Sequence, residues 1–310
     1  MVAFGLDPWM LALVAAGGFA CYTIIVEYGM TWTRSNGSPV LAAAFYSTLV
    51  VVAGFWALAA LRGIPEAATD PAQIWPFVIA GTAYPALFRF LYYEGIDRVG
   101  ASVTAAIMGA YPVVSVLLAV AVLGDALGLV AAAGVGLVVG GVVLLQFTQD
   151  ADESDVEDVV TAKLAGARPL DLLYPAGATL LTGSAFVLID YGLTDFPDPV
   201  VATAITQTPA LVIFTAWAGA VGIHTGELRL SRPVLGTFAV AGAFNFVGWL
   251  GNFYALQLGD IVTVVPLINT MPLLIMTITY GAERQIPRSR RLLVAVAAIV
   301  AGATLVQIGA

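Results

Sequence analysis

The chain has 310 residues, of which 60 % are hydrophobic and 10 % charged, and it carries a formal net charge of −8. A mean hydropathy of +0.94 excludes a water-soluble globule, which would lack the polar residues to cover its surface. One cysteine, Cys21, and one histidine, His224, are too few soft ligands for a zinc or iron–sulfur centre, so no metal or cofactor is expected, and an acidic chain without a basic stripe offers nothing to nucleic acid.

Apolar runs of about twenty residues follow one another, each long enough at 1.5 Å per residue to cross a hydrocarbon core of roughly 30 Å. They are continuous rather than alternating, which predicts membrane-spanning helices and not a barrel. The first, 9–29, opens at Trp9 and closes on Glu27-Tyr28-Gly29; Glu27 lies about 27 Å along it, at the far interface. The second covers 39–61. The third, 74–93, carries Tyr84 and, about 21 Å beyond Trp75, Arg89. The fourth, 100–122, contains Tyr111-Pro112 and leads into Gly124-Asp125, and the fifth, 127–147, holds Gly134, Gly136, Gly140 and Gly141. A polar break over 148–170 begins with the acidic run DADESDVEDVV and includes the single lysine, Lys163. The sixth span, 171–191, ends on Asp190-Tyr191-Gly192; the seventh, 199–220, carries Gln207; the eighth, 234–256, carries Asn245 and Asn252. The ninth, 261–281, contains Pro266, Asn269-Thr270 and Pro272, and the tenth covers 292–309. Eleven arginines to one lysine, with the net acidity, match a salt-adapted protein.

Shifting the chain by about 160 residues lays Ser38-Pro39-Val40 on Asp198-Pro199-Val200 and Tyr111-Pro112 on Met271-Pro272; a shift of 163 lays Glu27-Tyr28-Gly29 on Asp190-Tyr191-Gly192. The chain therefore divides into a first repeat, 1–147, a linker, 148–170, and a second repeat, 171–310. Five spans is an odd number, so the second repeat enters the membrane in the opposite sense. The fold class expected is an all-α integral membrane protein of ten transmembrane helices in two inverted five-helix repeats. Such repeats build alternating-access transporters with a site near the midplane.

Within the spans, Arg89 is the most unusual residue. As a cavity lining it would hold a carboxylate or phosphate bidentately; the same guanidinium could instead snorkel to the interface beside Glu94. Tyr84, Gln207, Asn245, Asn252, Asn269 and Thr270 are the polar side chains placed to hydrogen-bond a solute, although each alone is an ordinary helix-to-helix contact. Pro112, Pro266 and Pro272 free backbone carbonyls and kink their helices, as gating requires and as simple packing also tolerates. Glu27 and Asp190, one near each membrane face, are candidate gate or proton-relay acids, with the plain alternative that an acid ends each span.

Two five-helix halves, a proline in the fourth helix of each (AYPVVSVLLAVAVLGDAL and TMPLLIMTITYGAERQ), and a Gly-Asp or Ala-Glu pair closing that helix resemble the EamA-like members of the drug/metabolite transporter superfamily. The resemblance covers nearly the whole chain. It implies a multi-pass cell-membrane secondary transporter, with lipid as its surroundings, that moves a small organic metabolite, often outward. The two acids Glu27 and Asp190 make a proton, or another ion, the natural coupling hypothesis, and acids at span ends with the one histidine in a loop speak against an intramembrane enzyme. The rival from another class is a non-transporting membrane scaffold or sensor on the same helices. The resemblance implies cytoplasmic termini, whereas the charge count, with Arg62 alone in the loops that would then face inward, favours termini outside.

Overall fold

The computed structural model describes residues 6–31, 40–149, 168–222, 232–283 and 290–309. The acidic run, Lys163, His224 and the cations Arg34, Arg229, Arg284 and Arg288 lie outside the described residues. Among the described residues ten helices are long and apolar enough to cross a membrane: α1 (Pro8–Met30), α2 (Leu41–Arg62), α3 (Pro71–Val99), α4 (Val103–Leu123), α5 (Leu129–Phe147), α6 (Pro169–Asp195), α7 (Pro199–Ala220), α8 (Arg232–Leu258), α9 (Ile261–Gly281) and α10 (Arg290–Gly309). No strand occurs among the described residues.

Local chemistry sets the ends. Asp70 Oδ1 accepts from Ala72 N at 2.9 Å ahead of α3, and Asp198 Oδ1 accepts from Val200 N at 2.8 Å and Val201 N at 3.2 Å ahead of α7. Each is followed by proline at the first helical position, where a missing N–H leaves no bond unmade. Gly63 and Gly100, at φ 92 and φ 88, close α2 and α3 in a backbone conformation that side chains resist. The third helix runs six residues past its apolar stretch, because Glu94 and Arg98 pair at 2.7 Å one turn apart and keep its polar end helical.

Among the described residues three of these helices are interrupted part-way along. In α3 a wide turn over Thr82–Leu87 holds Tyr84 at φ −140 and ψ 123, since Pro85 has no N–H for the ladder and forces the residue before it toward extended geometry. In α4 the helical segments part at Gly109 and Ala110, and in α9 at Asn269 and Thr270, each break just ahead of Pro112 or Pro272.

The chain packs as two compact units, Met1–Ala86 with Leu188–Leu258, and Leu87–Val187 with Gly259–Ala310. Each draws helices from both sequence repeats, α3 and α6 being divided between them. In the first unit α8 lies on α1 with almost no space: a Cβ on Gly18 would stand 2.6 Å from Gly248 N, and one on Gly251 2.9 Å from Leu11 O. In the second unit α5 and α10 are as close. A Cβ on Gly134 would stand 2.6 Å from Val306 N, and one on Gly302 2.6 Å from Val138 N. Val138, Val142, Leu145, Leu292, Ala295 and Ile299 fill the seam around these notches. Of the four glycines of α5, Gly134 and Gly141 thus serve packing within the fold, and Gly136 and Gly140 have nothing within 4 Å.

Gly134→Ala must displace backbone and is expected to lower stability by about 1–3 kcal/mol. Gly136→Ala, into open space on the same helix, is expected to raise it by about 0.5–1 kcal/mol. Thermal unfolding of the purified protein compares the two.

A pH effect resides in the turn after α4. Asp125 Oδ2 is buried with no hydrogen-bond partner among the described residues, and burial, then the Asp260 carboxylate, raises the Asp125 carboxyl above its ordinary range. The raised value means the fold favours the protonated acid. Its stabilising contribution is complete below the ordinary carboxyl value of about 3.9 and is lost as pH rises through the raised one. Asp125→Asn is expected to flatten the fall of melting temperature with pH above about pH 4 and to raise stability at neutral pH.

Candidate functional site

In the first unit, the interrupted third helix is held directly against α7. A Cβ on Gly81 would collide with the Thr206 carbonyl oxygen, so the backbones touch one turn before the Tyr84 break. Around this contact the hydroxyls of α7 are satisfied: Thr206 Oγ1 donates to Ala202 O at 2.8 Å, and Thr208 Oγ1 donates to Ala204 O at 2.7 Å while accepting from Trp56 Nε1 at 3.0 Å. Between them stands Gln207, 1 % exposed, whose Nε2 has no hydrogen-bond partner among the described residues. Pro209 follows within the same helix and removes the N–H that Ile205 O would have received.

On α8, Asn245, Trp249 and Asn252 fall within roughly 60° of one another at 100° per residue, so they share a face. Asn245 is 7 % exposed, Trp249 2 % and Asn252 0 %. Both polar atoms of Asn252, Nδ2 and Oδ1, are buried without a partner among the described residues. The Trp249 ring joins three elements, meeting Phe19 of α1 at 5.6 Å, Tyr84 at the α3 break at 5.7 Å, and Phe253 at 6.0 Å. Leaving a buried amide unpaired costs about 1–3 kcal/mol, so three such atoms are a substantial load that packing alone does not explain.

The remaining candidates divide clearly. Asn269 Nδ2 donates to Gly109 O at 3.0 Å, tying the α9 break to the α4 break across a sequence distance of 160, the repeat offset. Thr270 Oγ1 donates to Leu267 O at 2.7 Å. Thr179 and Ser115 hydroxyls reach Ile107 O at 3.1 Å and Gly183 O at 3.2 Å in the same unit. Pro112, Pro266 and Pro272 are buried beside these bonds. Arg89 lies half-buried on α3 beyond its break, and Glu94 accepts from Arg98, which also meets Asp171 at 2.9 Å and covers the Tyr174 ring at 4.4 Å.

Glu27 is exposed and Asp190 half-buried, each near the end of its helix. The glycine that follows each has a structural task. A Cβ on Gly29 would stand 2.8 Å from the Phe238 ring, and one on Gly192 2.6 Å from the Phe77 ring, so the two acid-Tyr-Gly sequences are matching docking notches for an aromatic ring. At the end of the first unit where α2 finishes and α7 begins, Arg62 pairs with Asp198 at 3.3 Å and donates to Tyr254 Oη at 2.8 Å. Sequence inspection overlooked Trp249, although a mid-span tryptophan with asparagines four residues before and three after is a visible signal.

No curated protein matches the chain. One solved structure, described only as "Crystal structure of protein", is similar with a TM-score of 0.72 at 17 % identity, covering 97 % of this chain and 96 % of that one, which shows a shared fold. The model of the EamA-like transporter family matches residues 8–147 and again 171–307, five helices each time. The chain belongs to the EamA-like transporter family, multi-pass membrane transporters within the drug/metabolite transporter superfamily.

Proposed function

We propose that the protein is a secondary transporter that exports a small organic metabolite by alternating access, with Gln207 and Asn252 among its substrate ligands. The observation that carries this is Gln207 Nε2 and both amide atoms of Asn252, buried within membrane-spanning helices without a protein hydrogen-bond partner among the described residues. Tyr84 meets Trp249 on the α8 face that also carries Asn245 and Asn252, which adds Tyr84 and Asn245 to the proposed ligands, and Arg89, Asn269 and Thr270 are further candidates in the second unit. The breaks at Pro112 and Pro272 supply hinges, because a helix already lacking a ladder bond bends at that point first. Glu27 and Asp190 are the coupling acids in this scheme, a proton being the coupling ion.

Protein reconstituted in vesicles and offered a labelled metabolite panel is expected to give saturable exchange that responds to an imposed pH gradient. Replacing both hinges, Pro112→Ala with Pro272→Ala, is expected to slow exchange roughly tenfold, about 1.4 kcal/mol on the barrier, without unfolding the protein. Glu27→Gln with Asp190→Asn is expected to abolish the response to pH. Exchange that keeps its full pH response in that double variant sinks the coupling role, and absence of protein-dependent exchange across the panel sinks the transporter reading.

A further inference from the structure

We infer that the cluster on α3, α7 and α8 recognises an uncharged, planar solute through a paired donor and acceptor edge, of the carboxamide, lactam or nucleobase kind. This rests on Gln207 and Asn252 being substrate ligands. The unsatisfied atoms are two amide donors, Gln207 Nε2 and Asn252 Nδ2, and one amide acceptor, Asn252 Oδ1. A carboxamide presents its donor and acceptor side by side in one plane, and its natural complement is another edge that presents acceptor and donor in the reverse order.

Charge selects against ions. Tyr84, Gln207, Asn245, Trp249 and Asn252 are all neutral, and Arg62, at the nearby ends of α2, α7 and α8, faces Asp198. A carboxylate brought to these amides would meet no cation among these five residues, and burying a charge so is far more unfavourable than burying a neutral group that is hydrogen-bonded. Planarity follows from the walls. The Trp249 and Tyr84 rings stand 5.7 Å apart at 49°, and Trp249 lies on the helix face of the two asparagines, so a flat ring that parts this pair on entry gains an aromatic surface to lie against. In this conformer the amides are closed off. A ligand that supplies their missing partners therefore shifts the population toward a conformer that admits it.

Isosteric apolar substitutions separate ligand recognition from structure. Asn252→Leu and Gln207→Met remove an unpaired amide while keeping side-chain volume, so each is expected to raise the melting temperature of the unliganded protein by about 2–4 °C. Thr104→Val is the control. Thr104 Oγ1 is also buried without a partner among the described residues, but it belongs to the other compact unit. Purified full-length protein is melted with nicotinamide against nicotinate, benzamide against benzoate, and uracil, up to about 10 mM, where binding of the folded state appears as a rise in melting temperature.

The neutral member of each pair is expected to raise the melting temperature and the carboxylate is not. That rise is expected to vanish in Asn252→Leu and Gln207→Met and to persist in Thr104→Val. A rise produced by the carboxylates and lost in Asn252→Leu overturns the neutral class while leaving the site in place. A rise from the amides that survives both isosteric variants overturns the site itself. No rise from any of the five compounds overturns the proposal.

Discussion

The hydrocarbon core offers a backbone nothing to bond with, and the rest of this structure answers to that condition. Every N–H and C=O within the spans must find a partner inside the chain, so the spans are helices and each interruption needs its own remedy. In the second compact unit the remedies are visible. Asn269 reaches the Gly109 carbonyl across the two matching breaks, and Thr179, Ser115 and Thr270 supply hydroxyls to Ile107, Gly183 and Leu267. In the first unit the helix broken at Tyr84 lies against α7, and the buried amides of Gln207 and Asn252 are left short of hydrogen-bond partners among the described residues. The buried amide of Asn269 thus acts as structure in one unit, and those of Gln207 and Asn252 are unmet demand in the other.

Close packing of helices is the second consequence. Lipid tails are as apolar as leucine, so helices gain little by hiding apolar surface from them and must gain by contact. Gly18 on Gly248 and Gly134 on Val306 bring backbones together to the limit that any side chain would exceed. The acid-Tyr-Gly sequences belong partly to this category. Their glycines receive Phe238 and Phe77, two rings 161 positions apart, just as the glycines are 163 apart. The recurrence of the tripeptide therefore has a packing cause in its third residue, and a role for Glu27 and Asp190 stands only on the acids.

Much of the architecture was legible because it depends on properties local to the chain. Span number and approximate limits follow from apolar length, and the α4 and α9 breaks follow from proline at equivalent positions. The end of α3 was not legible: Glu94 and Arg98 look like an exit from the membrane by composition, yet their pairing continues the helix. The two compact units were not legible either, since each mixes helices from both repeats and the choice of neighbour is made by complementary notches, not by sequence order. For the candidate site, the residue types could be named in advance. Which amides would be bonded could not, because Asn269 and Asn252 are equally polar and equally placed in apolar runs, and only the carbonyl at Gly109 distinguishes them.

How the buried amides could be reached follows from where the first unit is held together by charge. Arg62, Asp198 and Tyr254 join the ends of α2, α7 and α8, and Asn252 lies two residues before Tyr254 while Gln207 lies about 13 Å along α7 from Asp198. In the proposed transport cycle, admitting a solute to both amides from that end would require these helix ends to separate. The ion pair is partly exposed, at 38 % for the Arg62 side chain, so water screens it and its rupture costs no more than about 1 kcal/mol. Asp198 accepts from Val200 and Val201 through Oδ1 and meets Arg62 through Oδ2, so the cap of α7 does not depend on the ion pair. In the proposed alternating-access scheme, a weak clasp beside amides that lack protein partners among the described residues would let a small ligand that supplies those partners decide between closed and open forms.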